Sequence, residues 1–302
     1  MRQTLLFMLL FAPYTLLFAE HNPCAQHKIN TSLIDSTYHY LNIKFCQPAV
    51  WFDDFFTDQR SLEDSRAGTI IRWYNDMWLS NTGAFKHKMK LNARLHLPNL
   101  SHKLKLVIGT SSADFNTTKI DAKTEYNNLA LRYDWIAKEQ TSFNVKVTIR
   151  PSIAFRYRYN YPLNERVVLT FTQKVQQRKK TNAASSQFDI DFSIDPIFLL
   201  RWSNEVNIKK NMQGVKLISG LTLYQYISDT QAINYHAHIN SQTQPEHRII
   251  ERYLSMSYRH NILRKWFFYT LTPTLTWQTE DPISPLKDAS ITLRLEVLFS
   301  NI

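Results

Sequence analysis

Apolar and polar residues alternate along most of this chain with a period of two. From Phe85 to Leu97 one face carries Phe85, His87, Met89, Leu91, Ala93, Leu95 and Leu97. The other carries Lys86, Lys88, Lys90, Asn92, Arg94 and His96. A helix would scatter the two sets around its circumference, whereas a strand sends them to opposite faces. Phe143 to Tyr159 repeats the pattern, with Phe143, Val145, Val147, Ile149, Ile153, Phe155, Tyr157 and Tyr159 opposite Lys146, Arg150, Arg156 and Arg158. So do Phe188 to Asp195, Phe267 to Trp277 and Ile291 to Phe299. Applied throughout, the pattern predicts strands near 67–79, 84–98, 103–111, 124–136, 141–159, 165–177, 187–203, 214–227, 231–241, 248–260, 265–278 and 289–299, which makes about twelve; the first and ninth alternate weakly, which leaves ten or fourteen open.

Strands this long with so strict an apolar face suggest a membrane. Beyond the N-terminus no segment approaches 18 uncharged apolar residues, so no membrane-spanning helix is expected. The remaining way to cross lipid is a closed barrel, in which every backbone group finds a partner. A soluble β-sandwich is the alternative, with aromatics as core filler. The connectors favour the barrel. Pro98 with Asn99, Ala137 to Gln140, and Tyr161 to Asn164 are short; Ser112 to Lys123, Gln177 to Ser186, Asn204 to Gly214 and Gln278 to Asp288 are longer and polar. Tyr133, Trp135, Tyr157, Tyr159, Trp202, Tyr224, Tyr226, Trp266 and Trp277 sit at strand ends, where amphipathic rings suit the headgroup level. The expected fold is an all-β transmembrane antiparallel barrel over 67–302.

The composition narrows the chemistry. Five glycines in 302 residues leave no Gly-rich phosphate loop, and turns fall to Asn, Asp and Pro. A hydrophobic fraction of 44% with 20% charged residues excludes a disordered chain. The formal charge of +11 favours anionic partners: phosphate, acidic sugar or lipopolysaccharide.

The first nineteen residues read as a secretory signal peptide. Arg2 supplies the positive start, Thr4 to Phe18 is nearly unbroken apolar sequence, and Ala19 is the small residue at the cleavage site. A membrane anchor would be longer, and Pro13 interrupts this stretch. Export implies an oxidising compartment, where Cys24 and Cys46 would form a local disulfide. Residues 20–66 would form an N-terminal periplasmic or plug segment. There Asp53, Asp54, Asp58, Glu63 and Asp64 accompany Trp51, Phe52, Phe55 and Phe56, and Asp53 to Arg66 reads as a short helix with one acidic and one aromatic face. An acidic plug in a basic barrel and a solvated periplasmic tail are both open at this point.

If the apolar stripes face lipid, the lumen receives Lys86, Lys88, Lys90, Arg94, Lys103, Lys105, Arg132, Lys146, Arg150, Arg156, Arg158, Arg166, Lys174, Arg201, Lys216, Arg259 and Arg294. The acids on the same face are fewer: Asp134, Asp189, Asp191, Asp195, Glu205, Glu251 and Glu296. Such a wall would attract anions and focus their field in a narrow tube. His236 and His238, with Glu251 on the next strand, are the one constellation that fits acid/base chemistry, and wet lumen histidines would look the same. Two histidines without a nearby cysteine fall short of a zinc ligand set, and no cofactor is expected. Basic charge pointing inward offers no face to a nucleic acid.

Two segments resemble a known family. Tyr258-Arg259-His260-Asn261, Arg264-Lys265-Trp266-Phe267-Phe268 and Leu293 to Phe299 are similar to the C-terminal third of a family of uncharacterised proteobacterial outer-membrane proteins. Trp51 to Phe56 with Asp58-Gln59-Arg60 resembles that family's opening motif. The resemblance implies an outer-membrane barrel with no assigned activity. The aromatic ending also resembles the terminal signal read by barrel assembly machinery, except that Ser300-Asn301-Ile302 follows Phe299. The expected function is a basic-lumen channel for small anionic solutes. The alternatives are a plugged, non-conducting barrel that serves envelope integrity or holds a partner, and a lipid-modifying hydrolase.

Overall fold

The computed structural model describes residues 48–56, 69–96, 103–110, 127–138, 140–149, 151–178, 181–210, 212–262, 266–279 and 286–301. The signal peptide, Cys24 and Cys46 lie outside them, as do Asp58, Glu63, Asp64 and Arg150.

One helix precedes fourteen strands. Helix α1 spans Pro48–Phe55. The strands are β1 Thr69–Ser80, β2 Phe85–His96, β3 Leu104–Thr110, β4 Asn127–Ala137, β5 Thr141–Thr148, β6 Ser152–Pro162 and β7 Val167–Arg178. They continue as β8 Asn182–Ser193, β9 Phe198–Lys209, β10 Lys216–Ser228, β11 Gln231–Gln242, β12 Arg248–Asn261, β13 Phe267–Gln278 and β14 Leu286–Asn301. Each pairs antiparallel with its sequence neighbours, and β1 pairs with β14 from Thr69↔Asn301 to Ser80↔Ser290, closing the barrel.

Fourteen strands replace the expected twelve because two segments read as single strands are hairpins. Residues 141–159 divide into β5 and β6, and 187–203 falls across β8 and β9. In both hairpins an odd number of residues separates the paired ends, Thr148↔Ser152 and Ser193↔Leu199. Paired residues share a face, so an odd loop preserves the alternation and hides the turn. Asp195 turns the second hairpin: its Oδ1 accepts the amides of Ile197 and Phe198 at 2.8 and 2.7 Å. Asn164 does the same between β6 and β7, accepting from Arg166 and Val167 at 2.8 Å each. Side-chain oxygens thus build turns that glycine would otherwise supply. Asp195 and Arg166 are therefore turn residues at a mouth, not part of the wall.

Burial is inverted relative to a soluble domain. Trp73, Leu91, Phe155, Leu221 and Leu254 are exposed, while Arg72, Asp76, Arg132, Asp189, Arg201 and Glu296 are buried. Apolar side chains form the outer surface and polar ones the inner, as lipid demands. The hairpin turns β2–β3, β4–β5, β6–β7, β8–β9, β10–β11 and β12–β13 share one mouth with the start of β1 and the end of β14. Tyr133, Trp135, Tyr161 and Trp266 form an exposed aromatic girdle at that end.

Candidate functional site: the lumen and its internal helix

Helix α1 lies inside the barrel. It opens on Pro48, whose fixed φ and missing N–H suit the first turn of a helix. The Phe56 amide donates to the Phe52 carbonyl at 2.8 Å, closing its last turn. Helical spacing gathers Trp51, Phe52, Phe55 and Phe56 against the barrel wall. Phe52 is 1% exposed and packs among Leu199 of β9, Tyr224 of β10 and Ala232 of β11. Its ring stacks on Tyr224 at a centroid distance of 5.1 Å. Trp51 meets the edge of Tyr226 at 4.9 Å, and Phe55 meets Phe268 of β13 at 6.2 Å. The helix begins five residues earlier than the sequence pattern suggests; residues 57–66 of that reading lie outside the described part.

Asp53 leaves this aromatic seat to meet the wall. Its Oδ1 accepts from Nη1 of Arg201 at 2.6 Å. The same guanidinium donates from Nε and Nη2 to the two carboxylate oxygens of Asp191, and from Nη1 to the Tyr224 hydroxyl at 3.1 Å. Arg201 is buried, so two carboxylates and a phenol hold a cation that lies out of bulk water. The Asp54 backbone belongs to α1, and its side chain lies outside the described part.

Charge divides the inner wall into two halves. From β2 to β7 the inward positions carry Lys86, Lys88, Lys90, Arg94, Lys105, Arg132, Lys146, Arg156, Arg158 and Lys174, with Asp134 as their only acid among the described residues. Cations here stand directly opposite cations: Lys105↔Arg132, Arg132↔Lys146 and Arg156↔Lys174. Asp134 serves two of them, Lys105 at 3.2 Å and Arg132 at 2.6 Å. Like charges opposite one another destabilise a sheet, so this half is not arranged for stability alone. Around the rest of the ring basic and acidic side chains are matched. Arg259 meets Glu296 at 2.6 Å, and Arg294 grips Asp76 through two bonds of 2.6 and 2.9 Å. The helix is seated on this matched half. Arg72, Asp76 and Asp288 also face inward, and the weak alternation of the first strand had concealed the first two.

A third feature joins residues of β10 to β12. The Thr222 hydroxyl pairs with Nδ1 of His236 at 2.8 Å, Nε2 of His236 with Nδ1 of His238 at 3.1 Å, and Nε2 of His238 with Glu251 at 3.1 Å. Tyr253 stacks beneath His238 at 4.7 Å. Gly220 makes the space: a Cβ there would lie 3.1 Å from the His238 Cβ and 3.4 Å from His236. Among the described residues no cluster of His, Cys, Asp and Glu is set to hold a metal ion.

No protein-family model matches the sequence, and no curated protein matches it. Solved structures do match the fold. CymD, a monoaromatic hydrocarbon channel, is similar at 8% identity and a TM-score of 0.52, over 82% of this chain and 92% of that one. OprB of Pseudomonas putida, in its low-pH structure, is similar at 10% identity and a TM-score of 0.51, over 82% of this chain and 97% of that one. With its closed sheet, apolar belt and polar interior, this chain has the β-barrel fold of Gram-negative outer-membrane proteins, and the outer membrane is its location.

Proposed function

We propose that the barrel is a conduit for small anionic solutes, with α1 as a plug at the mouth that holds the start of β1 and the end of β14. The observation that carries this reading is the row of opposed cations from β3 to β7. A wall of that sign in a low-dielectric tube lowers the energy of an anion along its length. Fourteen strands also fall between the eight that side chains fill and the sixteen that leave an open channel. Short turns and chain ends face the periplasm in such barrels, so α1 enters from that side. Its position supports the second reading as well, a barrel kept shut until the plug is released. The resemblance of Trp51 to Phe56 and of the C-terminal strands leads us to place the chain with the uncharacterised outer-membrane family named above.

The test is the reversal potential of the refolded chain in a planar bilayer under a KCl gradient, beside a version lacking residues 20–66. Anion-selective current that grows on truncation supports the conduit and the plug. Replacing Lys86, Lys88, Lys90 and Arg156 by Gln should then shift the potential toward the cation side. Silence from both proteins, with folding shown by heat-modifiable gel mobility, would overturn the channel reading and leave the closed barrel.

A further inference from the structure

The seat of α1 is itself built like a ligand site. Arg201 is oriented from behind by Asp191, which takes Nε and Nη2, so that Nη1 remains to point at the lumen, where Asp53 meets it. A guanidinium fixed by one carboxylate and turning its other edge to a second is a receptor for carboxylates. Tyr224 lies beside this edge, with the Arg201 Cζ 5.3 Å above its ring. The apolar part of the seat is lined by Leu199, Ala232 and Phe268, and α1 fills it with benzyl groups.

A second arginine borders the same seat. Arg259 is 2% exposed, lies 4.2 Å over the Phe268 ring and 5.9 Å from the Phe55 ring, and gives only Nη1 to Glu296 and Thr270. Its Nε and Nη2 are buried without a hydrogen-bond partner among the described residues. Donors of this kind cost free energy when they have no acceptor, and such groups mark places where an acceptor belongs. Among the described side chains, the helix brings an aromatic ring to Arg259 and no acceptor.

We propose that this seat is a binding site for small aromatic carboxylates, and that α1 occupies it as a built-in mimic, with Asp53 as the carboxylate and Phe52 and Phe55 as the aromatic body. This deepens the conduit reading by naming the solute class, and rests on it only for transport. A solute acid would exchange with Asp53 on Arg201, and its ring would replace Phe52 on Tyr224. Binding and unplugging would then be one event.

The experiment is equilibrium dialysis of 3-phenylpropionate against the refolded full chain, with propionate and 3-phenylpropanol as half-ligands. The expected order is 3-phenylpropionate well above either half-ligand. Asp53→Asn, which weakens the competitor, should tighten binding about tenfold. The paired variant Arg201→Gln with Asp191→Asn, chosen so that the buried Asp191 carboxylate is not stranded, should lose it. Equal uptake of all three compounds, or binding unchanged in both variants, would overturn the proposal. Binding is read without current, so a silent bilayer would remove the conduit alone, and an anion current without binding would remove this site alone.

Discussion

Phe52→Ala tests whether packing holds the helix in the barrel. Phe52 is 1% exposed, so nearly its whole side chain is withdrawn from water. Burying a phenyl side chain contributes roughly 1.5–3 kcal/mol, and its stack on Tyr224 adds about 0.5–1.5 kcal/mol. With the void left behind, truncation at such a site costs about 3–5 kcal/mol. One tenfold change corresponds to about 1.4 kcal/mol, so the undocked fraction of α1 should rise by roughly two to three and a half powers of ten. Hydrogen exchange over 48–56 in detergent or bicelles reads this directly, since local opening sets the exchange rate. The expectation is fast exchange in α1 with unchanged exchange in β9 and β10. Exchange in α1 within threefold of the parent would refute the packing argument. A parallel loss of protection in β9 and β10 would refute it differently, by showing that Phe52 supports the wall rather than resting on it.

Other expectations concern the barrel itself. Glu296→Ala leaves Arg259, 2% exposed, without its carboxylate; breaking one side of such a pair costs about 3–5 kcal/mol, and the temperature of the heat-modifiable gel shift should fall. The double change Arg259→Met with Glu296→Leu should recover much of that loss, and equal transitions for all three proteins would contradict the reasoning. Leu254→Arg places a charge on the outer face near the middle of β12, where the cost in a bilayer is about 2–4 kcal/mol; the urea midpoint of folding into vesicles should drop, and an unchanged midpoint would contradict the lipid-facing assignment.

The inverted fold was open to reading because a strand exposes its two faces as two sequence phases. Phe85 to Leu97 and Phe267 to Trp277 displayed both phases, and the structure puts the polar sets of Phe85 to Leu95 and of Phe267 to Trp277 inside. A turn breaks the alternation itself only where it changes phase; elsewhere it must be recognised from its turn residues, as with Tyr161 to Asn164. Gln177 and Asn182 are paired across four residues, so the outward set moves from odd to even numbers and the break shows. The three residues between Thr148 and Ser152 leave the phase intact. The seat of α1 was hidden for another reason. Alternation assigns Arg201, Arg259 and Phe268 to the lumen, but their level within it follows from the stagger of neighbouring strands, which no local pattern records. Asp53 and Arg201 stand 148 positions apart, and their meeting depends on that stagger.

The seam between β1 and β14 sets a constraint on how the molecule is made. Every other ladder joins strands adjacent in sequence, so thirteen pairings can form by local hairpin zipping, while Ile71↔Phe299 must close a loop of nearly the whole sheet. Closure entropy grows with loop length, and non-local pairing is correspondingly slow. The seam is thus the natural last step, and until it forms two unsatisfied strand edges face the surroundings. Helix α1 stands in sequence just before one of those edges, while its seat is on β9 to β13, the part that zips independently of the seam. A helix that reaches its seat early ties the N-terminal edge to the far side of the growing sheet and shortens the search for its partner. The same eight residues that seat inside the barrel would in this way act as an intramolecular guide for sealing it.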